Sequence, residues 1–143
     1  LVCTHLSHKF CSAEQRRQAQ QLVRWVDALV EDSKVSLSAK PAVILCGDLN
    51  APPFAPWSGY AVISEDKRWK DLWKAKGTWF HQATFPAKSA PSVGIRIDHI
   101  FALSGEDVAR VDCGAIRVVG GAADDGVASD HLSVLVELVI SQP

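Results

Sequence analysis

Pro41-Ala42-Val43-Ile44-Leu45-Cys46-Gly47-Asp48-Leu49-Asn50 decides the fold. Residues 42–46 are an apolar run held between a proline and a glycine, the length and bounding of a strand buried on both faces. Upstream, Ser12 followed three residues later by Gln15 has capping-box spacing. Ala19, Leu22, Val23, Val26, Leu29 and Val30 then recur as one apolar stripe between charged and amide residues. The pattern predicts an amphipathic helix over 12–32, with the polar residues 33–40 as its exit. Before it, Leu1-Val2-Cys3-Thr4 is a short apolar run of strand length that ends at His5. Strand, helix, strand in that order is a crossover unit, which makes the class α/β.

Downstream, Pro52, Pro53 and Pro56 make residues 50–60 an irregular loop. Trp69, Leu72 and Trp73 repeat at helical spacing, so a short helix is expected within 66–76, stopped by Gly77. Residues 95–101, 108–119 and 132–140 read as strands, and 120–126 as a turn-rich loop.

The 143 residues are one domain by length. With 48% apolar and 22% charged residues the chain is not disordered. No apolar run approaches the roughly 18 residues of a membrane span. Fifteen basic against sixteen acidic residues exclude a globally basic nucleic-acid coat, though not a local patch. Cys3, Cys11, Cys46 and Cys113 are scattered, without zinc-site spacing. Cys3 and Cys46 sit inside apolar runs and are expected as small core residues. A disulfide framework is not expected at this size and cysteine density, and the expected setting is reduced and intracellular. Any targeting signal would lie upstream, so localisation is otherwise unknown.

Chemically able residues cluster at strand ends, where α/β architectures assemble their sites. These segments are Thr4-His5, Gly47-Asp48-Leu49-Asn50, Arg96-Ile97-Asp98-His99 and Ser129-Asp130-His131. Asp48 and Asn50 alternate around Leu49, so in an extended segment they point the same way. A carboxylate beside an amide can hold a water or an oxyanion; it can equally be an Asx turn after Gly47.

Together, Thr4-His5-Leu6, Gly47-Asp48-Leu49-Asn50, Arg96-Ile97-Asp98-His99-Ile100-Phe101 and Ser129-Asp130-His131 resemble, in order and separation, the motifs of the endonuclease/exonuclease/phosphatase superfamily. The deoxyribonuclease-like and sphingomyelinase-like branches share them. Asp71-Leu72-Trp73 and Thr84-Phe85-Pro86 are smaller echoes. The resemblance implies a four-layer α/β sandwich with mixed β-sheets, of which residues 1–143 correspond to the C-terminal portion. The N-terminal half, with an Asn and a metal-binding Glu, would be a missing partner segment. It implies a metal-dependent hydrolase of phosphate esters: a phosphodiesterase, nuclease or phosphatase, complete only with that segment. The alternative is a non-catalytic remnant or interaction domain that keeps the fold.

The resemblance also implies roles. Asp48 would orient or deprotonate the attacking water, and Asn50 would bind the phosphate or the nucleophile. His131 would stabilise the phosphoryl group, oriented by Asp98, while His5 would donate to a phosphate oxygen. Asp130, with Asp48 and Asn50, would hold Mg²⁺ or Mn²⁺, cations suited to carboxylate and amide oxygens. The substrate would be a phosphate ester; nucleic acid, phospholipid and inositol phosphate are not distinguished.

Other candidates read more plainly. His99 adjoins Asp98 on a strand and faces the other side, where it is expected to pack or to make a satisfied polar contact. His8 and His81 are expected in loops. Ser129 lacks a nucleophile elbow. Trp57, Trp69, Trp73 and Trp79 interleave with lysines, a pattern that can stack on bases, yet Trp69 and Trp73 have core spacing. Trp57, in the proline-rich loop after Asn50, is the one expected to touch substrate.

Overall fold

The computed structural model describes residues 1–9, 12–78, 82–87, 93–120 and 129–142. Cys11, Trp79, His81 and most of the turn-rich 120–126 segment lie outside the described residues. Strand β1 (Val2–His5) leads through helix α1 (Ala13–Ser36) to β2 (Ile44–Asp48), and β1 and β2 pair in parallel. Helix α2 (Gly59–Glu65), strand β3 (Trp69–Asp71) and helix α3 (Leu72–Lys76) precede β4 (Asp98–Leu103). The sheet has the order β1-β2-β4-β3, with β4 antiparallel to both neighbours. Strands β5 (Arg110–Val119) and β6 (Ser133–Ser141) form a separate antiparallel pair. The mixed α/β class expected from the sequence is the class observed.

Each face of the sheet has its own core. On one, Leu22 and Val26 of α1 pack with Leu45, Phe101 and Trp69. Burying such aliphatic side chains stabilises the fold by roughly 1.5–3 kcal/mol each. On the other, Leu72, Trp73 and Ala102 join Val111, Cys113 and Ile116, with Ile44 and Ile100 against them. Strand β2 is thus covered on both sides, as its apolar run requires. No helix among the described residues is long and apolar enough to cross a membrane.

Several boundaries differ from expectation. Helix α1 runs to Ser36 rather than residue 32, because Lys34 is held by Glu31 at 2.8 Å and by Asp107 at 2.9 Å. The apolar stripe could not show this, since the last turn lies outside it. The proline-rich loop ends at Ser58, whose hydroxyl accepts the Ala61 N–H at 3.2 Å and starts α2. The short helix expected within 66–76 is α3, preceded by the unexpected strand β3, with Asp71 Oδ1 accepting the Trp73 N–H at 2.9 Å to cap α3. Trp69 and Trp73 are both buried, but in the two different cores. Gly77 does stop α3: a Cβ there would lie 2.4 Å from the Trp73 ring. The strand expected from residue 95 starts at Asp98, because Ile95 bridges to Phe85 and Arg96 turns inward to Asp71. Cys3 is exposed and Cys46 only partly buried, so neither is the core residue expected; Cys113 is buried.

Candidate functional site

Residue 47 must be glycine. Its φ is +145°, and a Cβ there would lie 1.8 Å from the Thr4 carbonyl oxygen of the neighbouring strand. That close approach brings the ends of β1 and β2 together, with His5 in register with Asp48. Two residues on, Asn50 adopts φ +48°. Asp48 Oδ1 accepts the Asn50 N–H at 2.7 Å, and Asn50 Nδ2 donates to the Leu6 carbonyl at 3.0 Å. The two oxygens of Asp48 thus have different surroundings, and the turn reading holds for one of them. Oδ1 builds the turn, while Oδ2 lies 3.4 Å from His5 Nε2 and 3.8 Å from His131 Nε2.

Antiparallel pairing sets Asp98 of β4 opposite Asp48. Asp98 Oδ2 accepts from His131 Nδ1 at 2.8 Å. Ligand atoms of Asp48, Asp98 and His131 all lie within 4.8 Å of one another. His5 borders this group as its most exposed member, 72% accessible at the side chain against 15% for Asp48. Asp130 is exposed and stands outside the group, although its charge reaches His131. Trp57 is 68% exposed and lies under the Arg16 guanidinium, 5.6 Å from the ring centroid. It is not part of the cluster. His8 is exposed and also outside it.

The segment after β3 positions His131. The Thr84 hydroxyl accepts the Ile97 N–H at 3.1 Å and the Asp98 N–H at 3.2 Å. The Thr84 carbonyl accepts the Leu132 N–H, and the Ala87 N–H donates to the Asp130 carbonyl, both at 2.7 Å. The Phe85 ring lies 5.1 Å from the His131 ring. Thr84 therefore ties the strand that carries Asp98 to the turn that carries His131.

Two supports escape sequence reasoning. Capping-box spacing assigns the Gln15 side chain to the first turn of α1. The Ser12 hydroxyl does accept the Gln15 N–H at 3.1 Å, but the Gln15 side chain is fully buried elsewhere. Its Nε2 donates to the carbonyls of Leu49 and Asn50 at 3.0 and 3.1 Å, and its Oε1 accepts the Gly59 N–H at 2.9 Å. It pins the turn after Asp48 to α1. On the other side of β4, His99 is buried as expected, and its Nε2–H donates to the Ala51 carbonyl at 2.8 Å. Arg96 Nη1 donates to His99 Nδ1 at 3.0 Å and, since a guanidinium can only donate, fixes that tautomer. Arg96 also pairs with buried Asp71 at 2.9 Å, and the Tyr60 hydroxyl donates to Asp71 at 2.7 Å. The same polar residue types occur across surfaces everywhere, and only their burial marks this network.

The electrostatics separate the two sides of β4. Burial pushes the Asp48 carboxyl upward and the nearby Asp98 charge adds to it, against the Asn50 N–H and the two histidines. Burial alone would lower His131, but the Asp98 hydrogen bond and the charges of Asp98, Asp48 and Asp130 together raise it. His99 goes the opposite way, driven by burial and by Arg96 down to about 3, and stays neutral. The cluster thus pairs a carboxylate of enhanced basicity with an imidazole that favours its protonated form.

Residues 12–131 match the Endonuclease/Exonuclease/phosphatase family, and the chain belongs to it. Among solved structures, it is similar to a mannosyl-6-phosphatase of Bacteroides thetaiotaomicron VPI-5482, at 19% identity and a TM-score of 0.67, over 96% of this chain and 49% of that one. An endonuclease/exonuclease/phosphatase from Bacteroides vulgatus is 18% identical with a TM-score of 0.67, over 90% and 44% of the two chains. D. rerio TDP2 complexed with single strand DNA product is 21% identical with a TM-score of 0.58, over 96% and 54%. The chain therefore spans about half the length of the structures it resembles, and at these identities the likeness is one of fold. No curated protein sequence matches.

Proposed function

We propose that the Asp48, Asp98, His131 and His5 cluster is the base-and-histidine portion of a divalent-metal-dependent phosphoesterase site. One observation carries this reading: His131 is held by Asp98 at 2.8 Å while its other nitrogen faces the Asp48 carboxylate at 3.8 Å. Family membership supports the reaction class.

The donor set fits a hard cation. The Asp48 carboxylate suits Mg²⁺ or Mn²⁺, which bind one or two protein carboxylates and complete their shell with substrate phosphate and water. Asn50 can add its Oδ1, and Asp130 would approach from the rim. When bound, such a cation supplies positive charge to the phosphoryl oxygens.

The protein's own groups do the rest. Asp48 orients the attacking water and accepts its proton. His131, protonated and fixed by Asp98, donates Nε2–H to a phosphoryl oxygen as charge develops there. His5 donates to a second oxygen from the exposed side. Asn50 Nδ2 has already committed one N–H to Leu6, which leaves its second N–H for the phosphate. Trp57 would contact the substrate beyond the scissile group. Because the chain matches about half of its structural relatives, we include in the proposal an N-terminal partner segment that completes the metal site.

The test is hydrolysis of bis(4-nitrophenyl) phosphate and 4-nitrophenyl phosphate by the chain, alone and joined to the family's N-terminal half. Activity should stop with a chelator and return with Mg²⁺ or Mn²⁺. The rate should need Asp48 deprotonated and His131 protonated, which gives a bell-shaped pH profile. Hydrolysis that persists in excess chelator would refute metal dependence.

A further inference from the structure

We propose that Cys3 and Cys46 form a reversible disulfide, a redox modification site one strand period inward from His5 and Asp48. The two cysteines are register partners on the parallel strands β1 and β2. Paired strands lie about 4.8 Å apart, inside the Cα separation of roughly 4.4–6.8 Å that a disulfide spans. The two Sγ atoms are 3.3 Å apart. Closing to a bond of about 2.05 Å needs side-chain rotation rather than strand displacement. Strand β1 is the outer strand of the four-stranded sheet among the described residues, and in it Cys3 is exposed while Cys46 on β2 is partly buried. Cys113 is buried in the core between α3, β4 and β5 and is not a partner of this pair.

This arrangement separates an attacking thiol from a resolving one. The oxidant is a low-molecular-weight disulfide such as oxidised glutathione. The Cys3 thiolate attacks one of its sulfurs, the reagent's S–S bond breaks, and one glutathione leaves with the electron pair. Cys46, its proton lost to solvent, attacks the Cys3 sulfur of the mixed disulfide, and the second glutathione leaves. The two cysteines lose two electrons and two protons, and one glutathione disulfide is reduced to two thiols. His5 and Asp48 each follow their cysteine by two residues and lie on the same face. The bridge therefore fastens the two strand ends that carry the His5–Asp48 pair, and it links residues 43 apart in the chain.

The experiment incubates the chain with oxidised glutathione and reads intact mass, free thiols, peptide linkage and melting temperature, alongside Cys46→Ser. In the wild type, two thiols should disappear without a retained adduct, the linked peptides should contain Cys3 and Cys46, and dithiothreitol should restore both thiols. The bridged form should melt about 5 °C or more above the reduced one. Cys46→Ser should instead retain one glutathione on Cys3. An unchanged thiol count, a lasting glutathione adduct on wild-type Cys3, linkage through Cys11 or Cys113, or a bridged form that melts below the reduced one would each overturn the proposal.

Discussion

His131 Nδ1 lies 2.8 Å from Asp98 Oδ2, although 33 residues separate the two in the chain. The pair connects the start of β4 to the turn before β6 and is the main source of the raised His131 pKa. Asp98→Asn removes the charge but keeps the shape. The His131 pKa, followed by the NMR shift of its imidazole protons, should then fall toward the ordinary value of about 6.5. Asp48→Asn should lower it less, because Asp48 acts through charge alone. An unchanged His131 titration in Asp98→Asn would mean that the pair does not orient the ring.

The two histidines on either side of β4 should affect stability with opposite sign. His131 has a folded-state pKa above its unfolded one, so its contribution is complete below about 6.5 and is lost as pH rises through the raised value. His99 is depressed to about 3. Between about 6.5 and that value the unfolded chain binds a proton that the folded chain refuses, so stability falls as pH falls, by up to about 1.4 kcal/mol per pH unit. Urea denaturation of His99→Leu from pH 7 to 4 should show a lower absolute stability and a shallower acid decline than the wild type. An equal slope in both would show that His99 is protonated in the fold.

Thr84 is a structural support without a catalytic atom of its own. Thr84→Val keeps the volume and deprives the Ile97 and Asp98 N–H groups of their shared acceptor. The cost should be about 1–3 kcal/mol in urea denaturation, the penalty for stranding a buried donor. The Asp98–His131 pair should loosen with it, visible as a His131 pKa closer to the ordinary value. Stability within 0.5 kcal/mol of wild type, about the scatter of a neutral surface change, would count against this role.

The crossover unit was legible because its signals are local: an apolar run between proline and glycine, a stripe at helical spacing, a serine at the helix start. The members of the cluster could be singled out because they sit at strand ends in recognisable pairs of residues. What each atom does was not, since that depends on contacts across the chain. Nothing local shows that one Asp48 oxygen holds Asn50 while the other faces two imidazoles. Gln15 has the right spacing for a cap and the wrong destination. Helix α2 was hidden by the prolines before it, though Ser58 ahead of Tyr60, Ala61 and Ile63 was a usable start signal. Asp98 rather than Asp130 is the second carboxylate of the cluster, because β4 pairs with β2 and aligns Asp98 with Asp48.

The most direct measurement is kcat for bis(4-nitrophenyl) phosphate with Mg²⁺ or Mn²⁺, in the protein joined to its family's N-terminal half, for wild type, Asp48→Ala, His131→Ala and Asp98→Asn, with circular dichroism to confirm folding. Removing a preorganised charge-stabilising group costs about 2.7–4 kcal/mol, a factor of roughly 10²–10³. Asp48→Ala and His131→Ala should each lose at least about 10² in kcat while remaining folded, and Asp98→Asn should lose less because it acts through His131. Turnover by folded Asp48→Ala close to wild type, or wild-type hydrolysis no faster than that of His131→Ala, would contradict the account.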